Sequence, residues 1–303
     1  MDESKSGWIY GFIGVAIFSG SLPATRVAVA DFDPVFLTLI RAAIAGVLAL
    51  ALLVLLRQER PGRSDLAPLF IVALGVVVGF PLLTALALEH ITSAHSIVFI
   101  GLLPLATAIF AVLRAGDRPR PAFWVFAVAG STLVAGFALT QDLSASWTGD
   151  ILMFAAIIAC GLGYAEGAKL SRKLGGWQVI SWALVLSLPI MAPLAIYTLP
   201  ASFAGVSQPS WIALAYVSLF SMLIGFVFWY RGLAQGGIAA VGQLQLLQPF
   251  MGLMLAATLL QEEVSWPMAA VSVAVVVCVA GAKNFAKSPE LSKSKLASQP
   301  ALR

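Results

Sequence analysis

Charge is scarce in this sequence: Asp, Glu, Lys and Arg make up 11% of 303 residues, 60% are hydrophobic, and the mean hydropathy is +0.95. A soluble globule cannot hide that much apolar surface, so lipid must be part of the solvent. Cysteine is nearly absent too. Cys160 and Cys278 each sit in an apolar run with no second cysteine or histidine at ligand spacing, which gives no metal or redox signature and leaves packing as their role. There are two histidines, His90 and His95, and the acidic residues fall mainly between apolar runs. No nucleophile with its base, metal set or carboxylate pair emerges, so an embedded enzyme is disfavoured and neither cofactor nor metal is expected. The excess of positive charge, +4, also lies between the runs and therefore reads as membrane orientation, with no nucleic-acid partner.

What the chain has in abundance is apolar runs of about 20 residues, the length that crosses a bilayer core of roughly 30 Å as a helix. Breaks at charges, Pro and Gly place spans near 7–29, 34–56, 66–88, 93–114 and 121–140, then 148–170, 176–198, 209–231, 237–261 and 265–284. The predicted fold is an all-α membrane protein of ten transmembrane helices. The segment 286–303, rich in Lys and Ser, has too little apolar surface to fold and is expected to be a disordered tail.

Basic residues are retained on the cytoplasmic side, which tests the span count. With residues 1–6 as a cytoplasmic N-terminus, the inside segments hold Lys5, Arg57, Arg60, Arg63, Arg114, Arg118, Arg120, Lys169, Arg172, Lys173, Arg231 and Lys283, followed by the basic tail. The outside segments hold Asp31, Asp33, Glu89, Asp142, Asp150, Glu262 and Glu263, with Arg26 the only basic residue. Both termini are thus expected in the cytoplasm.

The chain also repeats itself. A shift of 145 residues lays Leu102-Leu103-Pro104 on Leu247-Gln248-Pro249, Asp117 on Glu262, and Ala135-Gly136 on Ala280-Gly281; a slightly shorter shift lays Gly7 on Gly149 and Ile9 on Ile151. The repeats are 7–140 and 148–285. Five spans are an odd number, so the second repeat enters the membrane from the opposite face, the inverted plan of secondary carriers with substrate near the midplane.

These residues carry a resemblance. Leu102-Leu103-Pro104 and Leu247-Gln248-Pro249, the acidic Glu262 after the ninth span, the closing Gly136 and Gly281, and Arg41 in the second span make the chain similar to bacterial members of the drug/metabolite transporter superfamily, EamA type. Within it the chain resembles the YddG-type exporters, which implies export of amino acids, aromatic ones in particular. The resemblance further implies a multi-pass protein of the bacterial inner membrane whose first, third, fourth and ninth spans surround a central cavity. Asp117, set among Arg114, Arg118 and Arg120, departs from the pattern.

Several side chains could carry transport. Proline frees the carbonyl four residues earlier, so Pro23, Pro81, Pro104 and Pro249 would expose the carbonyls of Ser19, Val77, Ile100 and Gln245 as breaks or gates; static kinks are the alternative. Gln245 and Gln248, three residues apart on one face, could hold the ammonium and carboxylate of a zwitterion or serve as interhelical glue. His95 could pass a proton or simply hydrogen-bond. Phe18, Phe80, Phe99, Tyr164, Trp229 and Tyr230 could form an apolar box for a planar group, with Thr84 as a further polar contact, or pack as ordinary core. Arg41 either captures a substrate carboxylate or pairs with Asp31 or Asp33. Glu166 lies one turn before Lys169; an ion pair between them is the plainer reading and proton coupling the sharper one. Gly11, Gly14, Gly161 and Gly163 read as close helix contacts.

The function expected from the sequence is a secondary transporter that moves a small metabolite by alternating access, with amino acid export the leading case. Another small-metabolite carrier or multidrug efflux is the alternative, and a channel is disfavoured for want of a filter segment. The partners are the substrate and the bilayer; the oligomeric state is open and a monomer is compatible with the sequence.

Overall fold

The computed structural model describes residues 3–87, 90–91, 99–139, 146–260 and 266–286. Among them the regular structure is entirely helical. Helices α1 (Glu3–Ser19) and α2 (Ser21–Ala28) form the first apolar stretch, and α3 (Pro34–Leu55) the second. Helix α3 starts where the sequence demands: Asp33 Oδ1 accepts from the Phe36 amide at 2.9 Å and Pro34 supplies the first turn. The third stretch is α4 (Arg63–Val72), a π-helical segment (Ala73–Gly79) and α5 (Phe80–Ala87). Helix α6 (Leu103–Ala115) closes at Gly116, whose φ of 72° favours glycine; α7 spans Pro121–Leu139. The second half brings α8 (Trp147–Leu174), α9 (Gly176–Tyr197), α10 (Gln208–Tyr216), a second π-helical segment (Val217–Ile224) and α11 (Gly225–Gly236). A short α12 (Ile238–Gly242), a 3₁₀ turn (Gln243–Leu247), α13 (Gln248–Leu260) and α14 (Trp266–Phe285) complete the chain.

Among the described residues, six helical stretches are long and apolar enough to cross a bilayer: residues 5–25, 34–55, 63–87, 147–174, 176–197 and 208–236. Leu103–Ala115, Pro121–Phe137 and Ala270–Phe285 are shorter apolar helices. The expected fourth span lies partly outside the described residues. The expected ninth is not one helix but two, joined by the 3₁₀ turn.

The two π-helical segments occupy matching places in the halves. In the first, the Phe80 amide reaches back to the Gly75 carbonyl; in the second, the Gly225 amide reaches the Phe220 carbonyl. Pro81 gives a physical reason for the first, since its ring would clash with a carbonyl four residues back and a wider turn relieves it. Pro23 and Pro81 lie within the helical stretches 5–25 and 63–87, Pro81 just past the π-helical segment, and Pro104 and Pro249 are each the second residue of a helical segment.

Packing crosses between the halves. Helix α1 lies on α11, α3 on α9, α14 on α7, and α8 on α6 and the third stretch. Small residues set these distances: a methyl group at Gly14 would stand 3.0 Å from the Trp229 amide nitrogen, and one at Gly163 would stand 3.2 Å from the Gly75 α-carbon. Such close backbone approach replaces the missing hydrophobic drive between helices in lipid with van der Waals contact.

Candidate functional site

The largest wholly buried side chains include Trp229 and Tyr230 of α11. Around them collects an aromatic cluster. The Phe18 ring lies edge-on to Phe226 at 5.0 Å between centroids and to Trp229 at 6.2 Å, and Tyr164 meets Trp229 at 5.5 Å and Phe226 at 6.0 Å. Edge-to-face geometry at these spacings favours the ring quadrupoles. The Tyr230 hydroxyl donates to the Gly163 carbonyl at 3.3 Å.

Four of the six aromatics singled out in the sequence therefore meet: Phe18, Tyr164, Trp229 and Tyr230. Phe226 joins them and was missed, although it precedes Trp229 by three residues and so shares its helix face. Phe80 and Phe99 pack at the edge of the same large apolar core, and Phe99 also borders a smaller one around Ile91, Ile100 and Met153.

The polar groups near this cluster are poorly partnered. The Trp229 indole nitrogen is buried without a hydrogen bond, as are both amide atoms of Gln245, the Thr84 hydroxyl and the Gln243 carbonyl oxygen. Gln243 donates to the Pro104 carbonyl at 3.4 Å, and Gln248 donates to the Phe18 carbonyl at 3.5 Å. In the 3₁₀ turn, residues three apart align, so Gln245 stands on the same side as Gln248. The Ser19 hydroxyl is engaged with the Val15 carbonyl at 2.8 Å, while its own carbonyl faces Gly252 closely enough that a methyl group there would stand 3.1 Å away. His95 and Glu262 lie outside the described residues.

Two pairings expected from the sequence are not formed. Arg41 does not meet Asp31 or Asp33: Asp31 accepts from the Ser207 amide and from the hydroxyls of Ser207 and Ser210, and Asp33 caps α3. Arg41 instead directs a terminal nitrogen at the Met222 sulfur, 3.6 Å away. Glu166 pairs not with Lys169, one turn along its own helix, but with Arg114 of α6 at 3.0 Å. Packing of α6 against α8 places the arginine closer than helical spacing places the lysine.

Glu166 belongs to a charged belt at one end of the bundle. Lys173 contacts Asp65 of α4 at 2.7 Å, Arg172 contacts Asp117 at 3.5 Å, and Asp117 also accepts from the Ala239 amide at 3.0 Å. A cleft of about 330 Å³ between α4 and α8 is lined by Ser64, Asp65, Pro68, Glu166, Lys169, Leu170 and Lys173. At the other end, three hydrogen bonds from Ser207 and Ser210 hold the Asp31 carboxyl below the usual carboxylate range. Among the described residues, no group of three or more His, Cys, Asp and Glu side chains could hold a metal ion.

The profile of the EamA-like transporter family matches residues 5–139 and again residues 147–282. The uncharacterized transporter YdeK of Bacillus subtilis (strain 168) is 68% identical, over 95% of this chain and 100% of its own length. An uncharacterized transporter of Archaeoglobus fulgidus is 23% identical over 77% of this chain and 82% of its own. A solved crystal structure, described simply as that of a protein, superposes with a TM-score of 0.73 at 21% identity over 93% of this chain and 98% of that one, a likeness of fold.

Proposed function

Since the chain belongs to the EamA-like transporter family, a family of small-molecule transporters, we propose that it is a secondary carrier with ten spans in two inverted five-helix repeats and both termini in the cytoplasm. Four features support this layout. The family profile matches twice; the π-helical segments and Pro104 and Pro249 recur at equivalent places; and exchanging the halves turns the α1–α11 contact into the contact of α8 with the third stretch. In addition, residues assigned to the inside by charge meet each other, as with Lys173 and Asp65, Arg172 and Asp117, and Lys283 over the Trp8 ring.

The substrate pathway runs past the aromatic cluster and the glutamines of the broken ninth span. The observation that carries this is the set of buried, unpartnered polar atoms on Trp229 and Gln245. In a bilayer core no water relieves them, and each unmet group costs several kcal/mol, a cost that a passing polar solute offsets. Amides that donate and accept, beside rings that take a planar group, fit a neutral or zwitterionic metabolite. Export of amino acids, including aromatic ones, is the leading case, across the inner membrane of a bacterium.

Reconstitution into liposomes with labelled amino acids, sugars and cationic drugs in competition tests this reading. Phenylalanine and tryptophan are expected to move and to compete, and Gln245→Ala or Trp229→Phe to lower transport while protein level holds. Movement of none of these solutes would contradict the carrier assignment; movement of sugars or drugs alone would contradict the amino acid assignment.

A further inference from the structure

Arg41 poses a problem that its helix does not solve. It lies seven residues into α3, about 10 Å along the axis from Pro34 and so well inside the apolar stretch. A guanidinium at that depth is costly unless protein or a wet cavity receives it. Both nearby carboxylates are committed elsewhere, Asp31 to Ser207 and Ser210 and Asp33 to the Phe36 amide. Arg41 forms no ion pair with a described carboxylate. Its Nε is buried with no hydrogen bond, and the contact of its terminal nitrogen is a thioether, a weak acceptor. Yet the residue as a whole stays partly exposed.

Its contact, Met222, leads along its own helical stretch to the aromatic cluster. Met222 belongs to the second π-helical segment, whose Ser221 hydroxyl accepts from Ser21 of α2 at 2.8 Å. Below that, Tyr216 of the same stretch donates to the Ile17 carbonyl at 2.7 Å, closing α1 onto it. Phe226 follows Met222 by one helical turn, about 6 Å of rise, and carries Phe18 and Tyr164 against it. A charged fork thus stands one turn from a group of rings.

We infer that Arg41 is the anion-recognising residue of the transport pathway and takes the carboxylate of a substrate whose planar apolar portion meets the Phe18, Phe226 and Trp229 rings. The inference rests on the carrier reading and narrows it to carboxylates. Two parallel N–H donors match the two oxygens of a carboxylate, which a lone ammonium does not do. Replacement of such a charged partner by a neutral amide on the ligand leaves Arg41 unmet again, and the loss is about tenfold or more in affinity.

The test uses matched probes, L-phenylalanine and 3-phenylpropionate against their neutral amides. Binding is read by thermal stabilisation of the purified full-length protein, and transport is read in liposomes. Wild-type protein is expected to bind each acid about tenfold or more tightly than its amide, and Arg41→Gln is expected to abolish that preference without weakening the amides. Arg41→Lys, which keeps charge but loses the fork, retains part of it and serves where Arg41→Gln does not fold. Equal binding of acid and amide by wild-type protein, no binding of either acid, or full preference in Arg41→Gln or Arg41→Lys overturns the inference. Transport of the amides without acid preference leaves the carrier reading standing while overturning this one. Arg41-dependent binding without transport of any probe overturns the carrier reading, and with it Arg41's place on a transport pathway, while its recognition of carboxylates stands.

Discussion

The ammonium of Lys173 sits 2.7 and 2.8 Å from the two carboxylate oxygens of Asp65, tying the last turn of α8 to the first turn of α4. With Glu166 held by Arg114 and Asp117 by Arg172, it belongs to a belt that gathers α4, α6 and α8 at one end of the bundle. Alternating access requires this end to part during the cycle. Asp65→Asn is expected to raise the labelling of a cysteine placed at buried Ser171 by a thiol reagent several-fold. Unchanged labelling would show that the pair does not hold the end shut.

The Arg114–Glu166 pair is asymmetric, because the glutamate side chain is 2% exposed and the arginine 45%. Removing Glu166 frees an arginine that water can solvate. Removing Arg114 strands a buried carboxylate, which is the expensive direction. Thermal unfolding in detergent is expected to show a loss of about 3 kcal/mol for Arg114→Ala and about 1 kcal/mol or less for Glu166→Gln. The opposite order would contradict the burial.

Glycines of α1 and α11 are close-packed against backbone. A methyl group at Gly232 would stand 2.7 Å from the Gly11 α-carbon, and one at Gly14 would stand 3.0 Å from the Trp229 nitrogen, whereas a methyl at Gly136 meets nothing within 4 Å. Gly232→Ala is therefore expected to cost about 2 kcal/mol or more through forced separation of the helices. Gly136→Ala is expected to leave the melting temperature where it was, and equal losses at both would argue against the α1–α11 contact.

Asp31 gives a pH dependence. Its folded pKa lies below that of a free aspartate, 3.8, owing first to the Ser207 hydroxyl, then to Ser210 and the Ser207 amide. A lowered folded pKa stabilises the protein above the free value, and that contribution is lost as pH falls from there through the folded value. Melting temperatures measured from pH 6 downward are expected to fall more steeply below about pH 4 for wild type than for Asp31→Asn. Parallel curves would mean that the serines do not prefer the charged form.

Apolar run length, read from the sequence, anticipated the six described stretches long enough to cross a bilayer, because the cost of exposing backbone in lipid ties helix length to run length. Local geometry was less legible. The break at Gln243–Leu247 follows a run without proline or charge, and nothing in Val217–Ile224 announces a π-helical turn. Pairings were misread where only one dimension was available. Glu166 and Lys169 are one turn apart, so spacing suggested a pair, yet Arg114 approaches from another helix 52 residues away. Arg41 was offered Asp31 and Asp33 by proximity in the chain, but both acids are engaged by backbone and serine donors at 2.6–2.9 Å. The aromatic cluster was partly legible, since buried rings at span positions point to a common core, whereas Phe226 shows its place only through packing against Phe18 and Tyr164.

The most direct measurement of alternating access is counterflow in proteoliposomes with labelled phenylalanine outside and either unlabelled phenylalanine or buffer inside. A carrier whose single pathway opens to one side at a time gives faster labelled entry into preloaded vesicles, with a transient overshoot. Entry at the same rate whatever the vesicles contain would mean a continuous pore and would contradict the mechanism.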